Sequence, residues 1–185
     1  REFIVNTYLH SLTLLTIKRA NRLFPVIQPI LKKNNIPDDF KYLCVTESTL
    51  LNLTSPANAV GFWQFLMGAA KEYGLEVNKE IDERYNVEKA TEAACKYLKD
   101  AYELYGNWTM AAASYNMGMN GVNEQLERQK TNNYYNLVLG EETSRYVFRV
   151  LATKVMFNDP GGYGFDIEED DLYEPYETFE VKVDS

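Results

Sequence analysis

A single glutamate stands out by its surroundings. Glu47 closes Tyr42-Leu43-Cys44-Val45-Thr46-Glu47-Ser48, a mostly apolar stretch with helical spacing. A carboxyl packed against apolar groups loses the hydration that favours its ionised form, so its pKa rises toward neutrality. That property suits a general acid. Downstream stand groups fitted to a long polar ligand: Ser55, Gly61-Phe62-Trp63-Gln64, Tyr115-Asn116, and Glu142-Thr143 with Tyr146. Gln64 offers donor and acceptor together, a match for an acetamido group or a sugar hydroxyl. Ser48 and Ser55 add hydroxyls. Tyr115 and Tyr146 add phenols able to orient Glu47 or to stabilise charge that develops as a bond breaks. Asn116 secures backbone in its turn and can also touch a ligand.

The elements that must position these groups are helical nearly throughout. Residues 3–20 carry Phe3, Ile4, Leu9, Leu12, Leu15 and Ile17 at helical spacing. Pro25 and Pro29 punctuate the next stretch, which ends at Lys32-Lys33-Asn34-Asn35. Pro37 and Asp38 start a helix reaching Ser48, with Phe40, Leu43 and Cys44 inward. Residues 52–58 read as a loop and residues 61–73 as a helix capped by Gly74.

The clearest helix covers 87–105, with Val87, Ala90, Ala94, Tyr97, Leu98, Ala101 and Leu104 on one side and Gly106 at its end. Trp108 opens another, whose Ala111-Ala112-Ala113 lets a neighbouring helix approach closely. A last helix spans 142–157. The segment 178–183 alternates and is β-branched, so it reads as an edge strand or a linker. Trp63 and Phe65 read first as core, Glu142 as a charge favoured at a helix N-terminus, and His10 as a partly exposed helix residue. The fold class is all-α: a helical lead-in over 1–35, a main domain over 36–160 and an acidic tail over 161–185.

Composition narrows the function classes. The net charge of −8 is concentrated at one end: nine acids and one lysine fall within residues 166–185, leaving eighteen acids against eighteen bases before them. No basic stripe is available for a phosphate backbone, which argues against a nucleic-acid partner. One histidine and two cysteines make no metal-ligand pattern, so neither metal nor cofactor is expected. Cys44 and Cys95 lie on apolar helical faces that favour buried free thiols, with a disulfide between them as the alternative. No run is long enough to span a bilayer, and no signal peptide is present. The abrupt start inside a helical pattern suggests a fragment from which an export signal has been removed. Fourteen tyrosines exceed what packing requires and suit a carbohydrate-facing surface.

Four blocks in series carry a family resemblance. Glu47-Ser48, Ser55-Pro56-Ala57-Asn58-Ala59-Val60-Gly61-Phe62-Trp63-Gln64-Phe65, Ala112-Ala113-Ser114-Tyr115-Asn116-Met117-Gly118 and Glu142-Thr143-Ser144-Arg145-Tyr146-Val147 keep their order over residues 36–157. Together they resemble the catalytic domain of lytic transglycosylases, more narrowly the membrane-bound transglycosylase D type, with its lysozyme-like helical fold and catalytic cleft. The resemblance implies nonhydrolytic cleavage of the β-1,4 bond between N-acetylmuramic acid and N-acetylglucosamine in peptidoglycan, giving 1,6-anhydromuramic acid ends. Glu47 would act as acid and then as base. Ser48, Ser55, Gln64, Tyr115, Asn116 and Tyr146 would bind substrate, Ser55 more firmly indicated than Ser48. The lone acid agrees with this chemistry: hydrolytic glycosidases use two carboxylates, whereas a nucleophile supplied by the substrate needs one. Asp38 and Asp39 sit about two turns from Glu47 along its helix, too far to pair with it.

The resemblance also implies a periplasmic or cell-envelope location, associated with the outer membrane of a Gram-negative bacterium, and C-terminal peptidoglycan-binding repeats in the full-length protein. The pattern departs from the family at Leu66-Met67 (usually Met-Pro), Asn58 (commonly Gly) and Met117 (usually Ala). None of these removes the acid. The alternatives are a goose-type muramidase, which adds water instead, and a non-catalytic glycan-binding module.

Overall fold

The computed structural model describes residues 1–8 and 12–176. Its α-helices are α1 (Thr13–Lys33), α2 (Lys41–Ser48), α3 (Met67–Glu72), α4 (Val87–Tyr105), α5 (Trp108–Gln129) and α6 (Glu141–Asn158). Among the described residues there is no β-sheet, only isolated bridges, and the all-α expectation holds. His10 and the expected strand at 178–183 lie outside the described residues.

The first helix differs from expectation at both ends. Phe3–Tyr8 form a separate π-helical segment, and α1 begins at Thr13 and runs through Pro25 and Pro29. A proline leaves the carbonyl four residues earlier without a helical donor. Here those carbonyls belong to Asn21 and Pro25, both exposed, where water can serve them. Leu23, Ile27 and Leu31, at i, i+4 and i+8, line the opposite, buried face. That stripe joins Leu43, Cys44, Trp63, Ala94, Leu98, Met110 and Val147 in one core. Helix α1 is thus packed into the core that also holds the α2 residues preceding Glu47.

The central pair forms as its caps dictate. Asn86 accepts from the Lys89 N–H at 2.9 Å to start α4, and left-handed Gly106 ends it. Asn107 accepts from the Met110 N–H at 2.8 Å to start α5. Ala111, Ala112 and Ala113 are buried, and their short side chains let α5 lie close on α4. Leu104, expected on the buried side, is 54 % exposed. The stripe passes instead from Leu98 to Ala101 to Tyr105, the 3.6-residue path that Leu104 leaves.

The expected helix over 61–73 is also shorter. Paired hydrogen bonds between Val60 and Phe65, 3.0 and 3.1 Å, close a tight loop, and Gly61 and Gln64 within it take positive φ of 83° and 52°. These dihedrals exclude a helix, which starts only at Met67. Proline is well tolerated at that first helical position, and methionine fills it without loss of a needed donor. Gly74, φ 89°, follows the end of α3 as expected.

Candidate active site

Glu47 occupies the last turn of α2, whose Tyr42-Leu43-Cys44-Val45 are all buried. The helix stops there because Thr49 and Leu50 adopt left-handed conformations, φ 51° and 56°. Two consecutive non-glycine residues in this region store strain, which concentrates at functional sites. α6 packs across α2 and brings Tyr146 over the carboxyl, where its hydroxyl donates to Glu47 Oε1.

Glu47 is partly exposed yet densely surrounded, and its pKa is raised from 4.5 to about 7. Burial is the main cause. The Tyr146 hydrogen bond and the positive Arg149 pull it down, and the negative Glu142 pushes it up. The Tyr146 phenol is itself held well above its ordinary pKa, by burial and then by the Glu47 charge. It therefore remains a donor at neutral pH. Glu47 is poised to give a proton or to take one back near neutrality.

Tyr115 approaches the same centre differently. Its hydroxyl donates to the Trp63 carbonyl at 2.9 Å, and burial, then the charge of Glu47, raises its pKa. Tyr115 thus couples α5 to the loop carrying Gln64. It stands in the last turn before a break in α5 at Gly118, whose φ 79° and ψ 151° belong to glycine. Tyr97 braces that turn through the Ser114 carbonyl at 2.6 Å. Asn116 is held on both sides: Thr143 Oγ1 donates to its Oδ1 at 2.8 Å, and its Nδ2 donates to Glu142 Oε1 at 3.1 Å. The structure assigns Asn116 to joining α5 and α6. Glu142, read from sequence as a helix N-terminal charge, does stand in the first turn of α6 and also lies within electrostatic reach of Glu47.

Gln64 projects from the tight loop, with Nε2 donating to the Gly61 carbonyl at 2.8 Å and the Leu53 carbonyl at 3.1 Å. Two carbonyl partners fix which end is nitrogen, and they leave Oε1 as the group free to meet a ligand donor. Ser55 accepts from the Ala59 N–H at 3.0 Å and retains its own hydrogen for donation. Asn58 adopts φ 62°, the left-handed geometry that asparagine tolerates. Ser48 is 4 % exposed and donates to the Cys44 carbonyl. Trp63 and Phe65 are core, the indole N–H donating to Thr91 Oγ1 at 2.8 Å.

Two arginines escaped the sequence reading. Arg84, 6 % exposed, chelates Asp82 and donates to the carbonyls of Asn58 and Phe65, pinning both ends of the Gln64 loop. Nothing in its local pattern separates it from a surface arginine. Arg149 lies near Glu47 and over the Tyr146 ring, 5.6 Å from its centroid. Its spacing of three from Tyr146 on one helical face was the available signal.

Asp38 is engaged by Lys41 and Gln28, and Asp39 by Lys154, so neither joins Glu47. Cys44 and Cys95 are free and buried. Among the described residues no His, Cys, Asp and Glu cluster fits a metal ion, and no helix is long and apolar enough to cross a membrane. A concavity of about 420 Å³ lined by Glu141, Glu142, Arg145 and Arg149 adjoins the Glu47 surroundings. A larger one, about 880 Å³, lies between α1, α4 and the tail and contains none of these groups.

Residues 24–138 match the family model of the transglycosylase SLT domain. The chain is 31 % identical over 164 residues to membrane-bound lytic murein transglycosylase D of Escherichia coli K12, and equally to that of Escherichia coli O6:H1. Each match covers 85 % of this chain and 35 % of the relative, so the chain spans about a third of their length. A solved structure of an inactive mutant of lytic transglycosylase Slt from Pseudomonas aeruginosa is similar in fold, with a TM-score of 0.54 at 15 % identity. It covers 82 % of this chain and 26 % of that one, and the shared fold is the expected lysozyme-like helical domain.

Proposed function

The chain belongs to the transglycosylase SLT family, and from that premise we propose that it is a peptidoglycan lytic transglycosylase with Glu47 as its acid and base. The observation that carries this reading is the densely surrounded Glu47 carboxyl beneath the Tyr146 hydroxyl, whose surroundings push its pKa up to about 7. Protonated Glu47 gives its hydrogen to the glycosidic oxygen as the bond to C1 of N-acetylmuramic acid breaks. The C6 hydroxyl of the same sugar then bonds to C1, and its proton returns to Glu47. The product carries a 1,6-anhydro ring, no water is consumed, and the carboxyl ends as it began.

The surrounding groups take separate parts. Tyr146 orients the carboxyl and supports its negative form. Gln64 Oε1 and the Ser55 hydroxyl face substrate as acceptor and donor. Tyr115 and Asn116 hold the loop and α6 in register around the acid, and Ser48 serves the helix end. The substrate partner is the glycan strand of peptidoglycan. The setting is the periplasm or cell envelope, in keeping with relatives described as membrane-bound, with peptidoglycan-binding repeats following in the longer protein.

Digestion of purified sacculi followed by mass analysis tests the reading. Anhydro-muropeptides are expected, and Glu47→Gln should abolish them while circular dichroism stays unchanged. Reducing-end products would identify a muramidase instead. Tight binding without turnover would identify a glycan-binding module.

A further inference from the structure

Arg149 is unusual among the charged groups of the molecule. Its Nε is buried and has no hydrogen-bond partner, while its guanidinium lies over the Tyr146 ring at 5.6 Å. One terminal nitrogen donates to the Glu142 carbonyl at 3.2 Å, about two helical turns earlier on α6. Arg145, by contrast, is occupied by Glu2 and Glu141. Arg149 forms no ion pair with Glu47 and acts on it through space.

We propose that Arg149 is a positioning residue for Glu47: stacked on Tyr146, it keeps the phenol hydroxyl on the carboxyl and stabilises the carboxylate left when the proton has gone to the glycosidic oxygen. The idea rests on the transglycosylase reading for its chemistry and on the arginine–tyrosine stack for its geometry. Burial pushes the Glu47 carboxyl toward its protonated form. The Tyr146 hydrogen bond and then the Arg149 cation over that ring oppose this without a direct ion pair, which would keep the carboxyl ionised and end its use as an acid.

Among the described residues, the titratable groups facing Glu47 come from three helices. Tyr146, Arg149 and Glu142 come from α6, Tyr115 from α5, and Cys44 from its own helix. The phenols and the thiol are uncharged at neutral pH, their pKa values all raised by burial first. Arg149 is thus the one cation in this set, opposed by Glu142.

The test compares wild type, Arg149→Gln and Arg149→Lys. Carbon-13 NMR titration of the Glu47 carboxyl, without substrate, should place its pKa higher by about one pH unit in Arg149→Gln and nearer wild type in Arg149→Lys. The alkaline limb of kcat against pH should move the same way, and kcat should fall by about three- to tenfold with KM within about twofold. An unchanged Glu47 titration in Arg149→Gln overturns the proposal. So does a loss borne by KM alone, which would make Arg149 a substrate contact in the concavity it helps to line. Failure of the underlying reading is separable, because wild type would then yield no anhydro products whatever the titration shows.

Discussion

Glu47→Gln should stabilise the protein in alkali while ending its activity, and the size of the effect follows from the site. The Glu47 pKa is 4.5 when unperturbed and about 7 in the folded chain. Between these values the native carboxyl holds a proton that the unfolded one has released. Its favourable contribution is therefore complete below pH 4.5 and is lost as pH climbs through about 7. At about 1.4 kcal/mol per pH unit, the native state gives up about 3 kcal/mol across this window. Glutamine has the same shape, accepts from Tyr146 as the carboxylate does, and does not titrate.

Urea unfolding of both proteins at pH 4 and pH 8.5 isolates this term, because other titrating groups cancel in the difference. The variant should gain about 3 kcal/mol on wild type between the two pH values, seen as a Tm advantage growing by about 6–12 °C. A difference between the proteins that stays constant within about 0.5 kcal/mol would mean that Glu47 titrates as an ordinary surface carboxylate. The general-acid assignment would then lose its physical basis.

Three further outcomes concern the loop that presents Gln64 and the helix that follows it. A Cβ on Gly61, φ 83°, would stand 2.0 Å from the Arg84 carbonyl oxygen, so Gly61→Ala should cost about 3 kcal/mol or more in thermal or urea unfolding. Gly68→Ala, with open space around it, should be neutral or slightly stabilising in the same assay. Gln64→Glu sets a carboxylate oxygen against the Gly61 and Leu53 carbonyls, now reached by Nε2 at 2.8 and 3.1 Å. It should lower stability by about 1–3 kcal/mol at pH 7 and raise KM for glycan, with part of the stability returning as the pH falls toward 4.

Sequence alone determined what depends on local pattern. The Val87–Tyr105 helix was legible because one apolar stripe and a terminal glycine agree along a continuous segment. Glu47 was legible because an acid at the end of an apolar helical run is an anomaly that invites a chemical explanation. The four-block series placed Gln64, Tyr115 and Tyr146 beside it in expectation, but which atoms each would offer could not be read from one strand of text.

Tertiary structure decided those atoms. Gln64 spends its amide nitrogen on two carbonyls, Ser48 turns inward, Asn116 is consumed in joining two helices, and Arg149 lies over the Tyr146 ring whose hydroxyl meets Glu47. Helix continuity through Pro25 and Pro29 and the loop in place of a helix at 61–66 were likewise settled by surroundings: water on an exposed face in one case, the clamp of Arg84 in the other. Periodicity reports which side of an element is apolar. A pKa near 7 depends on what distant segments place within a few ångströms, and residues 47, 115, 142, 146 and 149 meet only when the chain has closed around them.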